Sequence, residues 1–452
     1  MNQSSNVGRN IREKLYLVIH RARCSQTGSL IEDRLKELNR ADEKRLVRFL
    51  FVFSLCLNLL FVLIRRNFYT VETWENGEIA QHLVQGMGFS FSYFGNPVQP
   101  TSIMAPFYPY FLAAVYSIFG VSPAAHLLVQ IIQAMTQAGA VVVIFYISKE
   151  LFDRPVATMS AFLFILFPDY LYGVTVVHQL TFTTFFVGIL LLSLLRLRSV
   201  PSVKRGILSG AILGFTTLVF PTVLFFAPLI AGWLLLELGR RYDWRFATGV
   251  VTVITVAAVA FVFPWTIRNY LVHDQLVLVK MNGYNFWRGN TPPAIYTGGA
   301  NDLGVLNEVT REQLRNLTEV KGNGLLQAIA IEYVLGHPVA FAVAVVRRMI
   351  NFWWFPSVAA QSQVSMLRKI VYAPVLLTGV GGIALSRWNR RELVPIYLLF
   401  VAFTVGYGLF FIRPRYRTPT TQPYLILFST YFICYLVRET GENYRNYICE
   451  SL

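Results

Sequence analysis

Apolar runs of about 20 residues recur along this chain, separated by short polar stretches. A helical run of that length crosses the hydrocarbon core of a bilayer, so the pattern predicts an all-α polytopic membrane protein. About ten transmembrane helices are expected. They are Phe49–Ile64, Ala124–Ser148, Pro155–Tyr170, Val176–Leu195, Gly206–Phe220, Thr222–Leu236, Ala247–Thr266, Met366–Ser386, Leu393–Phe411 and Pro423–Val437. Pro221 hinges the fifth to the sixth. Two more apolar stretches, Phe107–Phe119 and Pro338–Trp354, read as interfacial helices on the outer face, with Pro106 and Pro109 setting the start of the first. Serial spans pack as one bundle, so the chain divides into a basic segment 1–48, a membrane domain 49–437 and a tail 438–452. The outer loops are then 65–123, 267–365 and 412–422. No internal repeat is visible, which weighs against the many secondary transporters built from repeats.

Charge supplies the orientation. Eleven Lys and Arg precede the first span, so the N-terminus is expected in the cytoplasm. The loops that this orientation puts inside are short and basic: Lys149 and Arg154; Arg196, Arg198, Lys204 and Arg205; Arg240, Arg241 and Arg245; Arg387, Arg390 and Arg391. An even number of spans also returns the C-terminus to the cytoplasm. The segment 1–48 lacks the apolar core and cleavage pattern of a signal peptide, and Ile31–Leu38 is expected to form a short amphipathic helix. The net charge of +16 therefore reads as topology and contact with anionic lipid. No basic stretch interleaved with aromatics stands on a soluble domain, so nucleic acid is set aside as a partner. Cys24, Cys56, Cys434 and Cys449 show neither disulfide nor metal spacing.

The candidate chemistry lies in the outer loops. Glu72, Glu75 and Glu78 are the only acidic residues between Glu43 and Glu150. On a helix through 74–87, Ile79, Ala80, Leu83, Val84 and Met87 make one apolar face, Glu78 lies opposite, and Glu75 falls on the boundary. Cations stand where the topology does not call for them: Arg268; Lys280 and Arg288; Arg413, Arg415 and Arg417. One such Arg is usually a headgroup contact or a snorkelling side chain. Three groups together favour an anionic ligand such as phosphate, which the guanidinium fork binds through two parallel hydrogen bonds.

Five segments carry a family resemblance: WENGEIAQHLVQGMGFS, PTSIMAPFYPYFLAAVYSIFG, PWTIRNYLVHDQLVLVKMNGYNFWRGN, GHPVAFAVAVVRRMINFWW and RPRYRTPTTQPYLILF. In this order, over about Trp74 to Phe428, the chain resembles the GT-C-class membrane glycosyltransferases. The relatives are the protein O-mannosyltransferase and aminoarabinose-transferase group. The resemblance implies an inverting transferase that takes a sugar from a polyprenyl-phosphate donor and passes it to an extracytoplasmic acceptor, which is a lipid, glycan or protein. It implies an integral protein of a bacterial plasma membrane, with its site on the extracytoplasmic face and membrane lipids around it. By its place in the WE-x-x-x-IA pattern, Glu75 is the implied catalytic residue, with Glu72 and Glu78 as alternatives. Arg268, Lys280, Arg288 and Arg415 would hold the donor phosphate, and Tyr416 would contact sugar.

The pattern departs from the family at one place. Relatives often carry a second acidic residue near the start of the fourth span, where this chain has His178 and Gln179. Asp169 is the nearby carboxylate and stands early for that position. His178 is a candidate ligand or hydrogen-bonding group, although a lone histidine in such a place is more often a packed core residue. No cofactor is certain, and a divalent metal stays open. Gly86-x-Gly88 reads as a turn, and Asn316-Leu317-Thr318 as a chance match to a glycosylation acceptor. A competing reading is a non-catalytic binder or flippase of polyprenyl-phosphate sugars; a third is a degenerate family member that serves as a structural partner. A flippase needs polar groups along the bundle interior, and the spans between 124 and 266 carry almost none. That pattern favours chemistry at one membrane surface.

Overall fold

Local signals start and stop the helices where the apolar runs begin and end. Glu43–Arg65 (α1) is capped by the Asp42 carboxylate, which accepts the Lys44 N–H at 3.0 Å, and is closed by Arg66 in the left-handed region at φ 49°. Ser122 caps Pro123–Leu151 (α4) and Asp153 caps Arg154–Leu166 (α5), each with proline in the first turn. Trp74–Val84 (α2) and Phe107–Phe119 (α3) fill the first outer loop, joined through a two-stranded antiparallel ribbon that pairs Ser90 with Pro100 and Phe91 with Gln99. The bundle continues through Pro168–Gly173 (α6), Leu180–Ser199 (α7), Val203–Val219 (α8), Ala227–Arg241 (α9) and Trp244–His273 (α10). The stretch 274–355 holds Asn282–Asn290 (α11), Ala294–Thr297 (α12), Glu308–Arg315 (α13), Glu319–Gly336 (α14) and Pro338–Trp353 (α15). Met366–Leu385 (α16), Val394–Leu409 (α17), Arg417–Thr420 (α18) and Gln422–Ser451 (α19) complete the chain. This computed structural model describes residues 42–93, 96–355, 366–386 and 391–451. The helix expected over Ile31–Leu38 and the loop residues Arg387 and Arg390 lie outside them.

Each expected span is helical over most of its length, the fourth from Leu180 and not Val176, but the number of crossings differs from the tally of about ten. By length and composition seven helices among the described residues are able to cross a membrane, or eight if α14 and α15, bent by 107°, are one broken span. The expected third and fifth spans, α5 and α8, are 13 and 17 residues long. At 1.5 Å per residue they fall short of a core about 30 Å thick. The seventh runs seven residues further than expected, to His273, so Arg268 sits on a helix and not in a loop.

Alternation of the spans is visible in the ion pairs at one end of the bundle. Lys149 at the end of α4 meets Glu43 at the start of α1, and Arg196 at the end of α7 meets Glu150. Buried Arg198 joins Glu237 at 3.0 Å and Glu392 at 3.1 Å, while Arg438 on α19 meets Asp153 before α5. These are the predicted basic inner loops, gathered on one end. The main apolar core fills the bundle between α1, α4, α5, α7, α9, α17 and α19. Close approach of α8 to α10 depends on Gly206, Gly210 and Gly214, one helical face of small residues; a Cβ on Gly210 would lie 2.7 Å from that of Ala257.

The spans are less free of polar groups than the sequence pattern suggested. Gln130, Gln133 and Gln137 on α4 are buried inside the bundle. Gln130 donates to the Thr175 carbonyl at 2.8 Å, and Gln133 to those of Val174 and Val176 at 3.0 and 2.9 Å. The Gln133 carbonyl accepts the Tyr108 hydroxyl at 2.8 Å. The chain between α6 and α7 is not helical, and its backbone groups need internal partners near the membrane. Two of the three glutamines are therefore spent on holding this loop.

Candidate active site at the end of the bundle

The site lies opposite the ion-paired end, where four distant segments meet. The first is the start of α2. Trp74 adopts a positive φ of 45°, unusual for a bulky side chain, immediately before Glu75. The turn folds Thr73 back on Gly77, where any Cβ would overlap the Thr73 side chain. Glu75 emerges from this turn partly exposed. None of Glu72, Glu75 and Glu78 forms a hydrogen bond or ion pair with another described residue. The helix stops at Val84, and Gly86 and Gly88 turn the chain at φ 80° and 72°. The apolar face expected through Met87 is therefore cut short: Ile79 and Ala80 are buried, while Val84 and Met87 are exposed.

The second segment is the loop held by Gln130 and Gln133. Asn76 of α2 donates to the Gln179 side chain at 3.2 Å, and the Trp74 ring meets His178 edge-on at 5.8 Å. The His178 Nδ1 accepts the Leu180 N–H at 3.3 Å. Burial, and then Arg415 nearby, press the His178 pKa down to about 3. The ring is thus neutral with its proton on Nε2, a hydrogen-bond donor and not a cation.

The third and fourth segments bring the cations. On α11, Arg288 donates to the Asn301 carbonyl at 2.9 Å and to the exposed Asp302 carboxylate at 3.0 Å. Its guanidinium lies 4.6 Å from the Phe411 ring and 5.3 Å from that of Tyr284. Arg413 and Arg415 precede α18, and neither pairs with a carboxylate among the described residues. Burial lowers the Arg413 pKa, and Arg288 beside it adds to the effect. Tyr416 stacks on Tyr407 at 4.5 Å; burial raises its pKa against the pull of Arg415, Arg288 and Arg413. Burial also raises Tyr284, whose ionisation feels both Glu75 and Arg288. Tyr284 thus feels Glu75, Arg288 and Arg413, Tyr416 feels Arg288, Arg413 and Arg415, and His178 feels Arg415.

Two of the expected phosphate ligands stand elsewhere. Arg268 donates to the carbonyls of Thr101 and Phe89 at 2.6 and 2.9 Å and to Asn269 at 2.9 Å, between the rings of Phe89 and Trp265. It straps the first outer loop to α10. Lys280 reaches Gln275 at 3.2 Å, and its backbone N–H reaches the Ser102 carbonyl at 2.9 Å. Beside them the buried Glu319 carboxylate accepts the Thr101 hydroxyl and both the N–H and hydroxyl of Ser102 at 3.0 Å. Asp169 also has other partners, Arg368 at 3.3 Å and Gln422 at 3.2 Å. Among the described residues no three of His, Cys, Asp and Glu gather as a metal site.

Sequence reading passed over Tyr284, Asn76 and the glutamines of α4. The spacing of Gln130, Gln133 and Gln137 puts them on one helical face, a signal that was there to be used. Nothing in the sequence singles out Tyr284 from the 23 tyrosines.

Comparison with known proteins bears on the architecture. Residues 100–267 match the family model of dolichyl-phosphate-mannose-protein mannosyltransferases. The crystal structure of the Archaeoglobus fulgidus oligosaccharyltransferase, in complex with zinc and sulfate, aligns at a TM-score of 0.54 and 13% identity over 86% of this chain and 49% of that one. The chain shares the membrane fold of that oligosaccharyltransferase. It spans about half the length of that oligosaccharyltransferase. The apo form of the same protein aligns at a TM-score of 0.51 and 12% identity, over 88% of this chain and 52% of that one. ArnT from Cupriavidus metallidurans bound to undecaprenyl phosphate covers 86% of this chain and 77% of its own at 13% identity, with a TM-score of only 0.37. A search of curated protein sequences gave no match. The matched family segment runs from the ribbon to α10, so Glu75, Arg288 and Arg415 lie outside it.

Proposed function

We propose that this protein is an inverting glycosyltransferase that moves a sugar from a polyprenyl-phosphate donor to an acceptor on the extracytoplasmic face of a membrane. One observation carries the reading: Glu75, with no ion pair among the described residues, acts on the same Tyr284 hydroxyl as Arg288 and Arg413, which come from segments more than 200 residues away in sequence. A carboxylate beside an excess of cations suits displacement of a phosphate by a hydroxyl or amine.

In this reading the acceptor attacks C1 of the sugar as Glu75 takes its proton. The new bond to C1 forms while the C1–O bond to phosphate breaks, and the leaving phosphate keeps the electron pair. Arg415 and Arg413 stabilise the charge it gains, and Arg288 turns from Asp302 to assist. A single displacement inverts the anomeric centre. The neutral Nε2–H of His178 donates to a sugar or phosphate oxygen, and Tyr416 offers the sugar a stacking face. Arg268 and Lys280 act as braces of the first outer loop, with Glu72 and Glu78 solvated beside the site. The membrane domain 49–437 is one catalytic unit, in a bacterial plasma membrane, with the basic segment 1–48 and the tail 438–452 inside.

The test is release of polyprenyl phosphate from labelled polyprenyl-phosphate sugars by the reconstituted protein, with a panel of acceptors. Glu75→Gln should lower turnover by about 10²–10⁴-fold with donor binding kept. Arg415→Ala should weaken donor binding. Equal turnover by wild type and Glu75→Gln across the donor panel would overturn the assignment.

A further inference from the structure

A second group of cations lies at the same end of the bundle, apart from the cluster around Glu75. Arg65 and Arg66 end α1, and Arg368 and Lys369 begin α16. Tyr172 of α6 joins the two helices: its ring lies 4.5 Å from the Arg65 guanidinium and 4.9 Å from that of Arg368. Arg65 also donates to the Thr175 hydroxyl at 3.0 Å. The only ion pair in the group, among the described residues, is Arg368 with Asp169. The side chains of Arg66 and Lys369 have no partner among those residues. Arg417 adds a further positive charge next to Asp169, packed between the rings of Phe355 and Tyr372 with its Nε and Nη1 unpartnered.

These cations rim an apolar surface. Ile64 is 67% exposed, one residue before Arg65, and Leu367 is 63% exposed, one residue before Arg368. On helices that cross a membrane, such faces meet hydrocarbon. The cations then stand at headgroup depth, at the end of the bundle that the basic loops avoid. Their excess over one carboxylate calls for an anion, and their place beside lipid-facing side chains selects one carried on a lipid.

We propose that Arg65, Arg66, Arg368 and Lys369, arranged around Tyr172, form a docking site for the phosphate headgroup of an anionic lipid in the adjacent leaflet. The site goes beyond sugar transfer and does not require it. It shares α6 and the loop after it with His178, so an occupied headgroup would steady the active-site end of that loop.

The experiment is native mass spectrometry of the detergent-purified full chain, titrated with phosphatidylglycerol or phosphatidylcholine. Wild type should retain phosphatidylglycerol in preference to phosphatidylcholine. Arg66→Gln with Lys369→Gln should weaken that retention by roughly thirty-fold, at about 1 kcal/mol per basic residue. Neither side chain bonds to a described neighbour, so helicity by circular dichroism should be unchanged. Equal retention of the two lipids, or unchanged retention in the double variant, would overturn the proposal. Displacement of phosphatidylglycerol by millimolar inorganic phosphate would overturn the lipid as occupant and make free phosphate the ligand. Because the readout is binding, its failure would leave the transferase assignment standing, and the reverse.

Discussion

Gln133→Leu isolates the device that holds the active-site loop. The substitution keeps approximate volume and improves hydropathy within a membrane helix, so a rule based on hydrophobicity predicts stabilisation. The structure predicts the reverse. Gln133 satisfies two carbonyls, of Val174 and Val176, and the Tyr108 hydroxyl, all within 3.0 Å. At about 0.6 kcal/mol per bond, the average inside membrane proteins, the loss is about 2 kcal/mol. Orphaned buried groups cost about 1–3 kcal/mol each, so the loss is larger if the loop cannot rearrange. Gln137→Leu is the internal control. It lies one turn further along α4, equally buried, with its Nε2 unpartnered, and its replacement should be neutral or stabilising. Unfolding in mixed micelles gives both numbers, and polyprenyl-phosphate release measures the effect on the site. The reasoning fails if the two variants lose the same stability, or if Gln133→Leu loses none.

Other expectations follow from the same contacts. Gly210→Ala should cost about 1–3 kcal/mol by forcing α8 off α10, whereas Gly232→Ala, with nothing within 4 Å of the new methyl, should cost nothing measurable. His178 binds a proton in the unfolded chain below about pH 6.5 but in the folded protein only near pH 3. Stability should therefore fall as pH drops between those values, by up to about 1.4 kcal/mol per unit, and His178→Gln should flatten that slope in micelle unfolding at several pH values. Glu319→Gln replaces an acceptor of three hydrogen bonds by a group with one acceptor oxygen, and should lose about 1.5–3 kcal/mol. Faster proteolysis of the first outer loop would be its signature, and an unchanged digestion pattern would count against Glu319 as the pin.

The expected helices matched closely where an apolar run and a cap agree. Phe107–Phe119 coincides with its helix end to end, and α4 begins one residue before the expected Ala124 at the capped Pro123. The crossing count departs from the expected tally where length decides. The runs of α5 and α8 read as spans, yet the chain bends at Pro168 and Pro221 before they are long enough to cross. At the site, Glu75, Arg288, Arg415, Tyr416 and His178 were legible as residue types in outer loops. Their company was not. Arg268 resembles Arg415 in the sequence, but three backbone and side-chain oxygens engage its guanidinium, while Arg415 pairs with no carboxylate among the described residues.

The sequence by itself determined the membrane-spanning character, the order and caps of the helices, and the alternation that puts basic loops at one end. Each of these follows from the hydropathy, charge and capping chemistry of neighbouring residues, which a contiguous stretch carries. Only the tertiary structure decided which cations gather with Glu75 around Tyr284, which brace the loop 65–123, and which circle Tyr172. That choice depends on side-chain directions and on segments separated by more than 100 residues, and no local pattern records either.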